Sequence, residues 1–174
     1  MIGGINMNLF ITSGTRNYLK KMKEKYPEEN MLLLGDEESA VLIHETASGT
    51  IFNQPRKYEV IDSYGNFENA EYVVMNNIPV TDEGKPLFEY RFKNRNRQIE
   101  SQPGFVAIRV LRPITSNTYI ILTLWENRQA FEKWKTSESF QKSHAQQAGT
   151  QTTHPHSIFT GPSYITTYSI AEEE

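Results

Sequence analysis

The sequence predicts an α+β fold: a ferredoxin-like antiparallel sheet with its helices on one face, preceded by a smaller β-α-β-β part. Three observations carry this. From Glu71 onward the elements run strand, helix, strand, strand, helix, strand, the order that builds such a sheet with both helices on the same side. Strand segments alternate apolar and polar residues, whereas Leu87–Ile99 carries Phe88, Phe92, Arg95 and Ile99 at the spacing of a helix face. Pro103-Gly104 and the polar Thr115-Ser116-Asn117 punctuate the central strands, which makes that pair an antiparallel hairpin.

Residues 1–6 read as a disordered lead-in without the charged and apolar regions of a signal peptide. The first part then spans residues 7–64. Leu9–Thr12 is a short strand. Thr15 suits the N-cap of a helix over Asn17–Tyr26, with Leu19, Met22 and Tyr26 on one face and Pro27 ending it. Met31–Leu34 and Ala40–His44 are apolar enough for strands, separated by a turn at Gly35-Asp36. Tyr58–Ile61 is a further strand. The polar stretch Asp62–Asn69 is the expected boundary.

The second part is expected over residues 71–171. Tyr72–Asn76 is its first strand, and Thr81–Pro86 connects to the helix Leu87–Ile99. In Phe105–Leu111, alternation sets Val106, Ile108 and Val110 on one side and Arg109 on the other. Tyr119–Trp125 is strongly apolar. A helix begins near Arg128, and Thr136-Ser137 interrupts it and caps a short second helix ending near His144. Ala145–His156 reads as loop, Tyr164–Ile170 as the closing strand, and Glu172–Glu174 as a frayed acidic tail.

Composition excludes several functions. The chain has no cysteine, so it holds no disulfide, cysteine-ligated iron–sulfur cluster or thiolate zinc site; a cytoplasmic protein is the expectation. A net charge of −3 argues against a nucleic-acid partner. No stretch approaches the roughly 20 apolar residues that span a bilayer, so no membrane partner is expected. Phosphate loops, nucleophile elbows and metalloprotease motifs are absent. His154-Pro-His156 offers two metal donors, but His44 is the only spare histidine to complete a set.

Four stretches of the second part share a pattern with one family. They are Tyr72-Val-Val-Met-Asn-Asn77 followed by Ile78-Pro-Val80; Arg91-Phe92 and Arg95 leading to Gln102-Pro-Gly-Phe105; Thr123-Leu-Trp125 with Gln129-Ala-Phe131 and Trp134; and Ser139-Phe140 with His144. Together they resemble the IsdG-type heme-degrading monooxygenases of the antibiotic biosynthesis monooxygenase (ABM) superfamily. The first part, through Leu42-Ile-His-Glu-Thr46 and Tyr58-Glu-Val-Ile-Asp62, is similar to the longer HmoB and TRAP-like subfamily with its N-terminal extension.

The resemblance implies a functional set of Asn76, Trp134 and His144, with Phe92 and Arg95 also contacting heme. A neutral imidazole at His144 is a good axial ligand for heme iron; its plain alternative is a surface histidine. Trp134 pressing on a porphyrin would push the ring out of plane; otherwise it is one more core aromatic beside Phe131 and Phe140. Asn76 offers an amide donor to an iron-bound oxygen ligand. Neighbouring Asn77 competes for this role, because adjacent strand residues face opposite ways. The aliphatic Ile78 and Val80 that follow favour Asn76. The basic cluster Arg91, Lys93, Arg95 and Arg97 is either a solvated helix face or a propionate contact.

The resemblance further implies heme as substrate and cofactor, O2, and an external reductase as electron donor. It leaves two alternatives: a TRAP-like signalling or stress protein that binds heme or protein without turnover, and an ABM oxidase of an aromatic metabolite. A monomer is expected over a homodimer, because the first part can supply the second half-barrel that short ABM proteins gain by pairing.

Overall fold

The structure, a computed structural model, describes residues 6–36, 39–95, 97–137 and 158–170. Among these the chain runs β1 (Asn8–Gly14), α1 (Arg16–Lys25), β2 (Asn30–Gly35), β3 (Ala40–Thr46), β4 (Arg56–Tyr64), β5 (Tyr72–Pro79), α2 (Lys85–Lys93), a 3-10 turn (Gln98–Ser101), β6 (Phe105–Pro113), β7 (Thr118–Trp125), α3 (Arg128–Lys135) and β8 (Tyr164–Ser169). The strands form one antiparallel sheet in the order β2-β3-β1-β4-β6-β7-β5-β8. A bridge between Leu34 and Ile170 brings β8 against β2, so the sheet curls into a barrel. The α+β class read from the element order is the one observed. The spatial order of the first four strands also repeats in the last four, with β5 taking the place of β1 and β8 that of β4.

Period-two alternation sends one side of every strand inward. Leu9 and Ile11 of β1, Val41 and Ile43 of β3, Val73 and Met75 of β5, and Ile120, Leu122 and Leu124 of β7 fill a common interior. Helices cover the outer side. Thr15 caps α1, its Oγ1 accepting from Tyr18 N–H at 3.3 Å, and Leu19 packs down onto Phe10, Leu33 and Leu42. Beneath α2 lie Ile78, Val80, Ile108, Val110, Tyr119 and Ile121. Asn127 caps α3 by accepting from Ala130 N–H at 2.9 Å, and Phe131 and Trp134 pack on Val74 and Trp125. Gly104 lets α3 come this close: at φ +81° it suits glycine, and a Cβ there would sit 2.5 Å from that of Ala130.

Three expectations are corrected. Leu87–Ile99 is not one helix, for α2 stops at Lys93. Asn94 turns its amide back onto the Tyr90 carbonyl at 2.9 Å, and Arg95 is drawn to carboxylates outside the helix. The cluster Arg91, Lys93, Arg95 and Arg97 therefore shares no single helix face. Val106 does not join Ile108 and Val110, because a bulge between Phe105 and Ala107 shifts it to the interior side. Arg109 does lie opposite Ile108 and Val110, but that side is the barrel interior, where Glu45 meets it at 2.6 Å.

Candidate functional site

The two adjacent asparagines of β5 have opposite environments. Asn77 faces the barrel interior, is 4 % exposed, and donates through Nδ2 to the Met75 and Tyr164 carbonyls and to Thr166 Oγ1 at 3.1, 3.2 and 3.3 Å. It is a buried amide whose donors are used. Asn76 stands on the outer side between Val74 and Ile78, half-buried, and its side chain has no hydrogen-bond partner among the described residues. Its strand neighbours in register are Ile121 of β7 and Ile165 of β8. Ile165 is 42 % exposed, so the apolar floor beside Asn76 is open to solvent on the β8 side. An unpartnered amide on a largely apolar floor is the kind of polar group that orients a ligand in a mostly apolar site.

Helices wall this floor on the other side. Trp134 of α3 is 8 % exposed and belongs to the cluster of Val74, which lies two residues from Asn76 on the same face. Phe92 of α2 packs beside Phe88 at a centroid distance of 4.8 Å, in the cluster that includes Ile78 and Ile121. The structure thus sets Asn76, Trp134 and Phe92 on one side of the sheet. A polar relay pins α2 there. Glu89 accepts from Arg112 at 2.9 and 2.5 Å and from the Tyr119 hydroxyl by a short hydrogen bond. Arg112 holds the Glu89 carboxyl below its usual range, and burial followed by the Glu89 contact pushes the Tyr119 phenol up.

Arg95 is placed differently from Asn76, Phe92 and Trp134. Its side chain is 10 % exposed; Nε donates to Asp62 at 3.1 Å and Nη2 to Glu100 at 2.8 Å, while Nη1 is buried without a partner. Arg97 joins the same two carboxylates. Two arginines facing two acids leave no net charge, and the cluster clamps the end of α2 and the 3-10 turn onto β4. His144, His154 and His156 lie outside the described residues. The described ends of the segment that carries them are Ser137, just past α3, and Ile158. Ile158 accepts from Thr81 N–H at 2.6 Å and fills the space beside Gly84, at the start of α2. His44 is buried between Phe10 and Phe52, with Nε2 on Glu29 at 2.7 Å and Nδ1 near Thr50 at 3.4 Å.

Sequence reasoning missed the floor residues Ile121 and Ile165. The signal was available, because the strong alternation of Tyr164–Ile170 sets every second residue of β8 outward. It also missed an open hollow of about 460 Å³ at the far end of the same face, near the start of α3.

Known proteins share this architecture. Residues 71–146, within the second part of the chain, match the family model described as antibiotic biosynthesis monooxygenase. A heme-degrading monooxygenase of Listeria monocytogenes is 26% identical over 129 residues, covering 74% of this chain and 77% of that protein. A signal transduction protein TRAP of Staphylococcus epidermidis is 26% identical over 145 residues, covering 83% and 87%. The solved structure of a major regulator of staphylococcal pathogenesis superposes with a TM-score of 0.82 at 23% identity, over 95% of this chain and 99% of that one.

Proposed function

We propose, from the ABM domain of residues 71–146, that this chain is a heme-degrading monooxygenase that takes heme as its substrate on the outer face of β5 and β8. The observation that carries the reading is the unpartnered Asn76 amide on the apolar floor of Ile121 and Ile165, on the side of the sheet that α3 covers with Trp134. A heme-degrading relative of similar length supports it.

Heme, when bound, supplies the iron that activates O2, with electrons from an external reductase. The chain's residues bind, orient and exclude water. Asn76 would offer its amide N–H to a polar ligand on the bound group. Trp134, packed with Phe131 and Trp125, would set an indole against the macrocycle. Phe92 closes the apolar wall, and Arg95 fixes that wall through Asp62 and Glu100. His144, by its place in the sequence pattern, would hold the heme iron. The barrel is completed within one chain, which favours a monomer.

Hemin titration into the purified chain tests the reading. One equivalent gives a heme absorption band; ascorbate in air bleaches it and delivers ferrous iron to a chelator. His144→Ala shifts the band and removes turnover. An unchanged band and unchanged turnover in that variant would defeat the assignment of the ligand. A second reading is supported by the equally similar TRAP relative, which covers more of the chain: a heme-binding signalling protein. A heme complex that survives reductant in air would favour it.

A further inference from the structure

The hollow near the start of α3 has a composition that the apolar floor lacks. It is lined by Glu71 just before β5, Tyr72 at the start of β5, Thr167, Tyr168 and Ser169 of β8, and Asn127 and Arg128 at the start of α3. Thr167 is two residues along β8 from Ile165, about 7 Å, and pairs in register with Val74. Both Ile165 and Thr167 are exposed on the same side of β8, so the floor beside Asn76 and the hollow are neighbours along that strand. One is apolar; the other carries hydroxyls and a guanidinium.

Arg95 and Arg128 are candidate partners for an acidic ligand group at this face. Arg95 already faces Asp62 and Glu100, and a third carboxylate there would meet two fixed negative charges. Arg128 makes one ion pair among the described residues, with Glu132 at 3.8 Å, and its side chain is 75% exposed. Its guanidinium is free to turn into the hollow and take a carboxylate in two-pronged fashion, with Thr167 and Ser169 as hydroxyl donors nearby.

Resting on the heme reading above, we propose that the hollow receives the acidic edge of the ligand, with Arg128 as the residue that binds its carboxylate. The macrocycle then lies on Ile165 and Ile121 with its carboxylate-bearing side toward α3. This orients the ring in its own plane and so fixes which ring edge faces Trp134. Glu71, at the rim of the hollow, opposes the same carboxylate.

The test uses the full chain and two ligands that differ only in the acid groups: hemin and hemin dimethyl ester. Each is titrated while tryptophan fluorescence and the heme band are followed. Arg128→Ala weakens hemin binding about five-fold, the scale of a partly exposed charge-assisted pair, and leaves the ester within about two-fold. Arg128→Lys retains part of the hemin preference, and Glu71→Gln tightens hemin alone by about two-fold. Far-UV circular dichroism and melting temperature verify that each variant is folded. Equal losses for both ligands, or none for either, overturn the subsite while hemin binding by the unaltered chain stands. If the unaltered chain binds no hemin, the subsite and the heme reading fall together.

Discussion

Arg109 of β6 and Glu45 of β3 meet inside the barrel, Nε to Oε2 at 2.6 Å and Nη2 to Oε1 at 3.3 Å. The two strands belong to different halves of the chain. Nη1 also donates to the Tyr64 and Ile108 carbonyls, the Phe67 ring lies 5.0 Å from the guanidinium carbon, and Asn30 donates to Glu45 at 3.4 Å. These contacts give the pair hydrogen-bond partners and an aromatic wall, as a buried pair requires.

Removing one partner strands the other charge. Arg109→Met should therefore lower the unfolding free energy by about 3–5 kcal/mol, and Glu45→Leu by a similar amount. The double variant should recover most of the loss, because no buried charge is left over. Urea denaturation of the two single variants and the double variant measures this; a double variant as unstable as the sum of the singles would contradict it.

The asparagine pair should separate stability from ligand binding. Asn77→Ala leaves the Tyr164 carbonyl and Thr166 hydroxyl short of a donor and should cost about 1–3 kcal/mol. Asn76→Ala breaks no described hydrogen bond and should stay within about 0.5 kcal/mol of the parent. The hemin spectrum should respond in the opposite order. Denaturation and titration on the same two variants provide the comparison.

Acid stability should depend on Glu89. Its folded-state pKa lies below the usual 4.5, first because Arg112 donates to it. The folded chain thus takes up this proton less readily than the unfolded chain. The stabilisation is complete above pH 4.5 and disappears as pH falls through the lower folded value. Glu89→Gln should flatten the acid limb of melting temperature against pH between 5 and 3 relative to the parent. On the alkaline side the Tyr119 phenol is raised above 10.0, chiefly by burial, so its contribution is full below pH 10.0 and is lost as pH rises toward the folded value.

Trp134→Phe should keep hemin affinity within about three-fold, since an apolar aromatic still fills the α3 cluster. Turnover should fall much further, because a smaller ring presses less on the macrocycle. Single-turnover bleaching of the heme band distinguishes the two effects.

Most strands were legible because their alternation is undisturbed, and Thr15 announced α1 through the chemistry of its cap. Where local pattern and long-range contact disagreed, contact prevailed. The spacing of Arg95 and Ile99 continues the periodicity of Phe88 and Phe92, yet Asp62, distant in sequence, draws Arg95 away and the helix ends. The bulge that turns Val106 inward left no mark on the composition of its strand. Alternation set Arg109 opposite Ile108 and Val110, but nothing local revealed that a barrel closes over its side. Of the proposed site, the positions of Asn76 on a strand and Trp134 on a helix were legible from their motifs, whereas the neighbourhood of β8 depends on a pairing with β5 across many intervening residues.

The bridge between Leu34 and Ile170 has a consequence for how the protein meets a scarce ligand. A barrel made by two separate copies falls apart as it is diluted, and any site it supports goes with it. Here the ring of strands is joined by one continuous backbone, so its integrity is unimolecular. A cell holding only a few copies would still hold as many complete barrels as chains.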